Sequence, residues 1–175
     1  MSSWYLILLG APLLTLVQAS ESAFLPPPWS GIDLTLILAI GLVTAFRTRQ
    51  ALAVALISGF ILDILLAAPP GAGIFARSAA ILIASLAFTR VFTNLSYLSF
   101  TALNALAYIV SRLVFTLIGL AVGWPGVIRP TDLGRPDWLG WFAAGLAIHL
   151  AAALALVFLA RRTGRYFLRR FWRAT

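Results

Sequence analysis

The 175-residue chain has no cysteine, a single histidine and five acidic residues, and all 13 of its basic residues are arginine. Without cysteine there is neither a disulfide framework nor a thiolate metal ligand. His149 has no second histidine or acidic cluster near it in the sequence, so neither metal nor cofactor is expected. The lack of lysine is read as GC-rich coding rather than as mechanism. Charge itself is scarce: 10% of residues, against about a quarter in soluble domains, while 62% are hydrophobic and the mean hydropathy is +0.99. That balance excludes a soluble domain and defines an integral membrane protein. Enzyme signatures are also missing, with no phosphate-cradling Gly-rich loop carrying a lysine, no nucleophile elbow and no His-Glu metal motif. A non-enzymatic role is expected. Six arginines lie within residues 161–173, so most of the net charge of +8 sits beside a membrane span. Nucleic-acid binding needs a solvated basic face instead, and no nucleic acid is expected as a partner.

Crossing about 30 Å of hydrocarbon takes roughly 17 to 25 apolar residues. Apolar runs at 3–19, 32–46, 51–68, 74–90, 97–122 and 139–160 predict an all-α, six-helix transmembrane bundle over 1–160, followed by a basic, aromatic tail over 161–175. The second run is short and draws length from its flanks. Arg47, Arg49, Arg90 and the tail arginines fall on one side of a six-span zigzag. The positive-inside bias makes that side, and both termini, cytoplasmic. Arg161, Arg162, Arg165, Arg169 and Arg170 alternate with Tyr166, Phe167, Phe171 and Trp172. This pattern suits anchoring at a headgroup layer rich in anionic lipid, or a grip on a cytoplasmic partner. Trp124, Trp138 and Trp141 fit an aromatic belt on the opposite side. The first run has a second reading, because Val17-Gln18-Ala19 resembles a signal-peptide cleavage site, although residues 1–13 carry no arginine or lysine.

Inside the spans the chemistry concentrates on a few polar groups. Asp63 interrupts an apolar run that Pro69-Pro70-Gly71 then ends, and an intramembrane charge costs roughly 2.5 to 3.5 kcal/mol even on lenient scales. Arg77 lies at a similar depth on the next span. A structural ion-pair cluster of Asp63, Arg77 and Arg112 is therefore expected, with Gly59 and Gly73 clearing space for close helix approach. Whether Asp63 pairs with Arg77 or with Arg112 stays open. Asn104, Tyr108, Arg112 and Thr116 recur every four residues and form a polar ridge on the fifth span. Ala143, Ala147, Ala151 and Ala155 form a small-residue ridge on the sixth, suited to close helix packing against another span or another protein. His149 reads as a hydrogen-bonded packing residue, with a proton relay as the alternative.

Three segments carry a family resemblance: Leu16-Val17-Gln18-Ala19-Ser20 closing the first span, Asp33-Leu34 opening the second after a Pro-rich loop, and Ser58-Gly59-Phe60-Ile61-Leu62-Asp63 with Gly73 ten residues on. In this order the chain resembles the MreD family of bacterial rod-shape-determining proteins. The resemblance implies a six-helix inner-membrane scaffold that binds MreC and, through it, MreB, RodA and the elongation transpeptidase of lateral peptidoglycan synthesis. It also implies a fold similar to the substrate-binding subunits of energy-coupling-factor transporters, so the competing expectation is a vitamin-type solute-binding subunit. A third, an enzyme acting on lipid-linked substrates, rests only on surplus arginine charge. A reporter fused after Thr175 is expected to be active only in the cytoplasm; activity on the outer side alone would overturn the predicted orientation.

Overall fold

The computed structural model describes residues 2–24, 31–92, 96–124 and 137–163. It is all-helical there: α1 (Ser2–Phe24), α2 (Leu34–Thr44), α3 (Thr48–Leu65), α4 (Ala72–Arg90), α5 (Tyr97–Ala121) and α6 (Asp137–Thr163). Four helices are long and apolar enough to cross a membrane, namely α3, α4, α5 and, within α6, Leu139–Leu159. The apolar stretch Ile7–Ser20 of α1 and the whole of α2 are shorter. With 11 residues, α2 is about 16 Å long, half a bilayer core. The residues on its N-terminal side, 31–33, are not α-helical. Non-helical backbone is tolerated at membrane depth only where protein buries it, and Asp33 is indeed buried.

The helix ends explain the tight links. At α2 the amide of Arg47 donates to the Leu42 carbonyl at 2.8 Å and that of Phe46 to Val43 at 2.9 Å. This is the Schellman pattern, which places one residue in the left-handed region. Here that residue is Phe46, at φ 58°, and its ring rests against Phe88 with centroids 5.2 Å apart. The end of α3 repeats the pattern: Ala68 donates to the Asp63 carbonyl at 3.0 Å, with Ala67 at φ 48°.

Packing is centred on α4, which contacts α2, α3 and α5. Its inward stripe is Ala72, Ala76, Ala80 and Ala84, none more than 1% exposed. Without long side chains between them helices can approach closely, which replaces the hydrophobic driving force that lipid does not supply. Leu36, Ile40 and Val43 of α2, Ile81 of α4 and Leu103 of α5 fill the remaining core. The small-residue ridge of α6, Ala143, Ala147, Ala151 and Ala155, is exposed, so it is not covered by another span of this bundle. The face of α6 turned inward carries Gly145, His149 and Ala153. The two faces stand about 200° apart at 100° per residue, and the buried polar group of His149 decides which one is covered.

Ala67 is exposed and has a left-handed backbone, which costs a residue with a Cβ about 1 to 2 kcal/mol. Ala67→Gly is expected to raise stability by about 1 kcal/mol, read from thermal unfolding in detergent; a lowered transition would contradict the assigned helix end.

Candidate functional site

The sequence leaves Arg77 to find an acid, and the acid it meets is Asp33. Arg77 Nη2 lies 2.5 Å from Asp33 Oδ2. Arg77 Nη1 donates to Ser58 Oγ at 2.7 Å and to Thr35 Oγ1. One guanidinium thus ties α4 to the start of α2 and to the middle of α3. Both charged residues are buried, Arg77 at 5% and Asp33 at 8% exposure, so the pair is shielded from the solvent screening that weakens surface ion pairs.

Asp33 is also the N-cap of α2. Its Oδ1 accepts from the Leu36 amide at 2.9 Å and from the Thr35 hydroxyl at 2.9 Å, which relieves an orphan amide of the first turn. The Asp33 amide donates to His149 Nδ1 at 3.2 Å. An accepting Nδ1 puts the neutral ring's proton on Nε2, so His149 acts here as an acceptor that joins α6 to the start of α2. Gln18 of α1 closes the group, its Oε1 accepting from the Thr35 amide at 3.3 Å.

Asp63 serves a different purpose. Its Oδ1 accepts from the Gly73 amide at 2.6 Å, so a carboxylate at the end of α3 caps the first turn of α4 across the Pro-Pro-Gly link. Asp63 Oδ2 has no hydrogen-bond partner among the described residues. The two glycines are sterically required. A Cβ on Gly59 would come within 2.7 Å of the Gly73 backbone, and one on Gly73 within 2.5 Å of Asp63 Oδ1. Asp63 and Arg112 lie within electrostatic reach of Arg77, as the expected cluster requires, but among the described residues the direct ion pair of Arg77 is with Asp33, while Asp63 caps a helix.

The Arg112 guanidinium carbon lies 5.2 Å from the centroid of the Tyr108 ring, within the range of a cation–π contact. Tyr108 in turn stacks on His149 at 4.8 Å and on Phe142 at 5.9 Å. The polar ridge of α5 is buried at one end only. Asn104 and Tyr108 are buried, Arg112 is exposed and Thr116 is half-buried, because a four-residue repeat advances about 40° per step around a 3.6-residue helix. Asn104 Nδ2 donates to the Phe100 carbonyl at 2.9 Å. Trp124 meets Phe115 edge-on at 5.7 Å. Arg161 and Arg162 lie on the last turns of α6, whereas Arg165, Arg169, Arg170 and Trp172 fall outside the described residues.

Asp33, Thr35, Ser58 and Gln18 were not expected at this site. A legible signal existed for Asp33, since an Asp directly before an apolar run is an N-cap signature. No protein family, curated protein or solved structure matches the chain. The fold and site define a protein whose described residues are all-helical, with membrane-type helices joined by a buried polar layer centred on the Arg77–Asp33 pair.

Removing Asp33 while Arg77 stays buried leaves a guanidinium uncompensated. Asp33→Ala is expected to cost about 3 to 5 kcal/mol, whereas Asp63→Asn keeps an oxygen acceptor for Gly73 and is expected to cost about 1 kcal/mol. Unfolding of both variants in detergent checks the ranking, and equal losses would contradict the division of roles.

Proposed function

We propose that the chain is a non-enzymatic scaffold of the bacterial inner membrane that acts in cell elongation as the MreD family does, binding MreC and through it MreB, RodA and the elongation transpeptidase. The observation that carries this reading is where the resembling segments meet. Gln18, Asp33, Ser58, Gly59, Asp63 and Gly73 come from three separated stretches, yet each bonds or packs within the layer around Arg77 and the α3–α4 link. Their common use is to fix helices against one another. A carboxylate held by a guanidinium and a helix amide is a poor general base, which favours a structural use of the layer over turnover.

In this reading all six helices cross the membrane with both termini in the cytoplasm. α1 has 23 residues, enough for about 34 Å. α2 reaches across with help from the chain before it. The tail then lies among cytoplasmic anionic headgroups. The partner that the bundle presents itself to is a single-span protein, and a rigid membrane-embedded face suits it.

Affinity purification of the full chain in mild detergent tests the reading. Recovery of MreC or the RodA synthase is the expected result, and Asp33→Ala is expected to reduce it at least tenfold through loss of the fold. Recovery of an ATPase pair with a bound small solute would instead make the chain a transport subunit and overturn the proposal.

A further inference from the structure

Among the described charged side chains, Asp33, Asp63 and Arg77 are buried, and Arg47, Arg49 and Arg90 lie at or beside helix ends. Arg112 alone is exposed well inside a helix. It stands nine residues before the end of α5 at Ala121, about 14 Å along the axis. Its guanidinium is drawn back further still, over the ring of Tyr108 one turn earlier. An arginine that serves a lipid headgroup extends toward the helix end. This one is held near the middle of a 25-residue helix, away from both headgroup layers of a bilayer that α5 is long and apolar enough to cross. The residues exposed beside it, Leu113 at 55% and Leu117 at 64%, are apolar, as on a face that meets lipid or protein rather than a water-filled cavity.

The ring of Tyr108 offers no oxygen acceptor for the N–H donors of the guanidinium. Both buried carboxylates are committed elsewhere, Asp33 to Arg77 and Asp63 to the Gly73 amide. Among the described residues no carboxylate lies within ion-pair distance of Arg112. A charge at membrane depth is costly unless another group pairs with it, so the missing acid has to come from outside the described bundle.

We infer that Arg112 marks a docking face on α5 for a transmembrane helix of another protein, which brings an aspartate or glutamate to the depth of Tyr108 and pairs it with the guanidinium. A carboxylate fits the planar fork of donors, and a single opposite charge fixes the partner and its register together. A second copy of this chain offers no such acid among its described residues, since Asp33 and Asp63 are buried in their own layer. The inference rests on the reading of α5 as a membrane span and adds the chemistry of the partner that a scaffold calls for. A synthetic partner keeps its test separate from the recovery of MreC.

The probe is a leucine–alanine transmembrane peptide with one central aspartate and a dansyl label, reconstituted with the full chain in phosphatidylcholine vesicles. Binding is read from energy transfer out of the tryptophans of the chain. The wild-type chain is expected to bind this peptide about tenfold more tightly than one with leucine at the same position. Arg112→Leu is expected to lose the difference at unchanged helicity, Arg90→Gln to behave as wild type, and Arg112→Glu to prefer a peptide with a central lysine. The inference is overturned if the wild-type chain shows no preference, if Arg112→Leu keeps it, or if an aspartate near the end of the peptide serves as well as a central one. It is also overturned if adding phosphatidylglycerol to the vesicles abolishes the preference, which would make a lipid phosphate the group that Arg112 meets.

Discussion

A guanidinium cannot shed its proton inside a protein, and burying Arg77 therefore constrains everything around it. Its charge has to be met by an acid, and its remaining donors by oxygen atoms, in a region where lipid offers neither. Asp33, Thr35 and Ser58 supply these from α2 and α3. Meeting that demand fixes where α2 begins. The N-cap carboxylate must lie at the depth of Arg77, so the helix starts within the protein interior and only 11 residues remain before the turn at Phe46. A short second helix is thus a consequence of the ion pair rather than of weak hydropathy.

The rest of the layer extends the same constraint to the other helices. The Asp33 amide takes its acceptor from His149 and so determines the rotation of α6, which leaves the alanine ridge of that helix facing outward. Tyr108 fits between His149, Phe142 and the Arg112 guanidinium, tying α5 to α6. Asp63 closes the α3–α4 hairpin through the Gly73 amide, at a contact so tight that neither Gly59 nor Gly73 has room for a Cβ. Buried polar groups of this kind add little net stability over apolar packing, and their best-attested use is to specify one arrangement among several. In the scaffold role proposed above, that specificity is the useful property.

The two ends of α2 divide the chemistry. Its start is committed to internal hydrogen bonds around Arg77, while its end delivers Arg47 to an apolar groove beside α1. Packing between the helices themselves falls mainly to alanine, above all the stripe of α4, because in lipid close van der Waals contact takes over the part that hydrophobic burial plays in water.

Composition and periodicity by themselves determined the class: an all-helical, membrane-type chain, six helices within a few residues of their observed ends, Gly59 and Gly73 at a close approach, and Arg77 as a charge in need of partners. These follow from local chemistry, since apolar run length, turn residues and isolated charges are legible one segment at a time. Only the tertiary structure decided that Arg77 meets Asp33 and not Asp63, and that α6 buries Gly145, His149 and Ala153 rather than its alanine ridge. Asp63 and Arg77 lie on neighbouring helices at similar depth, so spacing along the chain made their pairing look natural. Asp33 stands 44 residues before Arg77, and its approach depends on how far the chain before α2 is drawn inward. Helix rotation is likewise set by the strongest polar contact available across the bundle, here the Asp33 amide on His149, and that contact exists only once the helices are assembled.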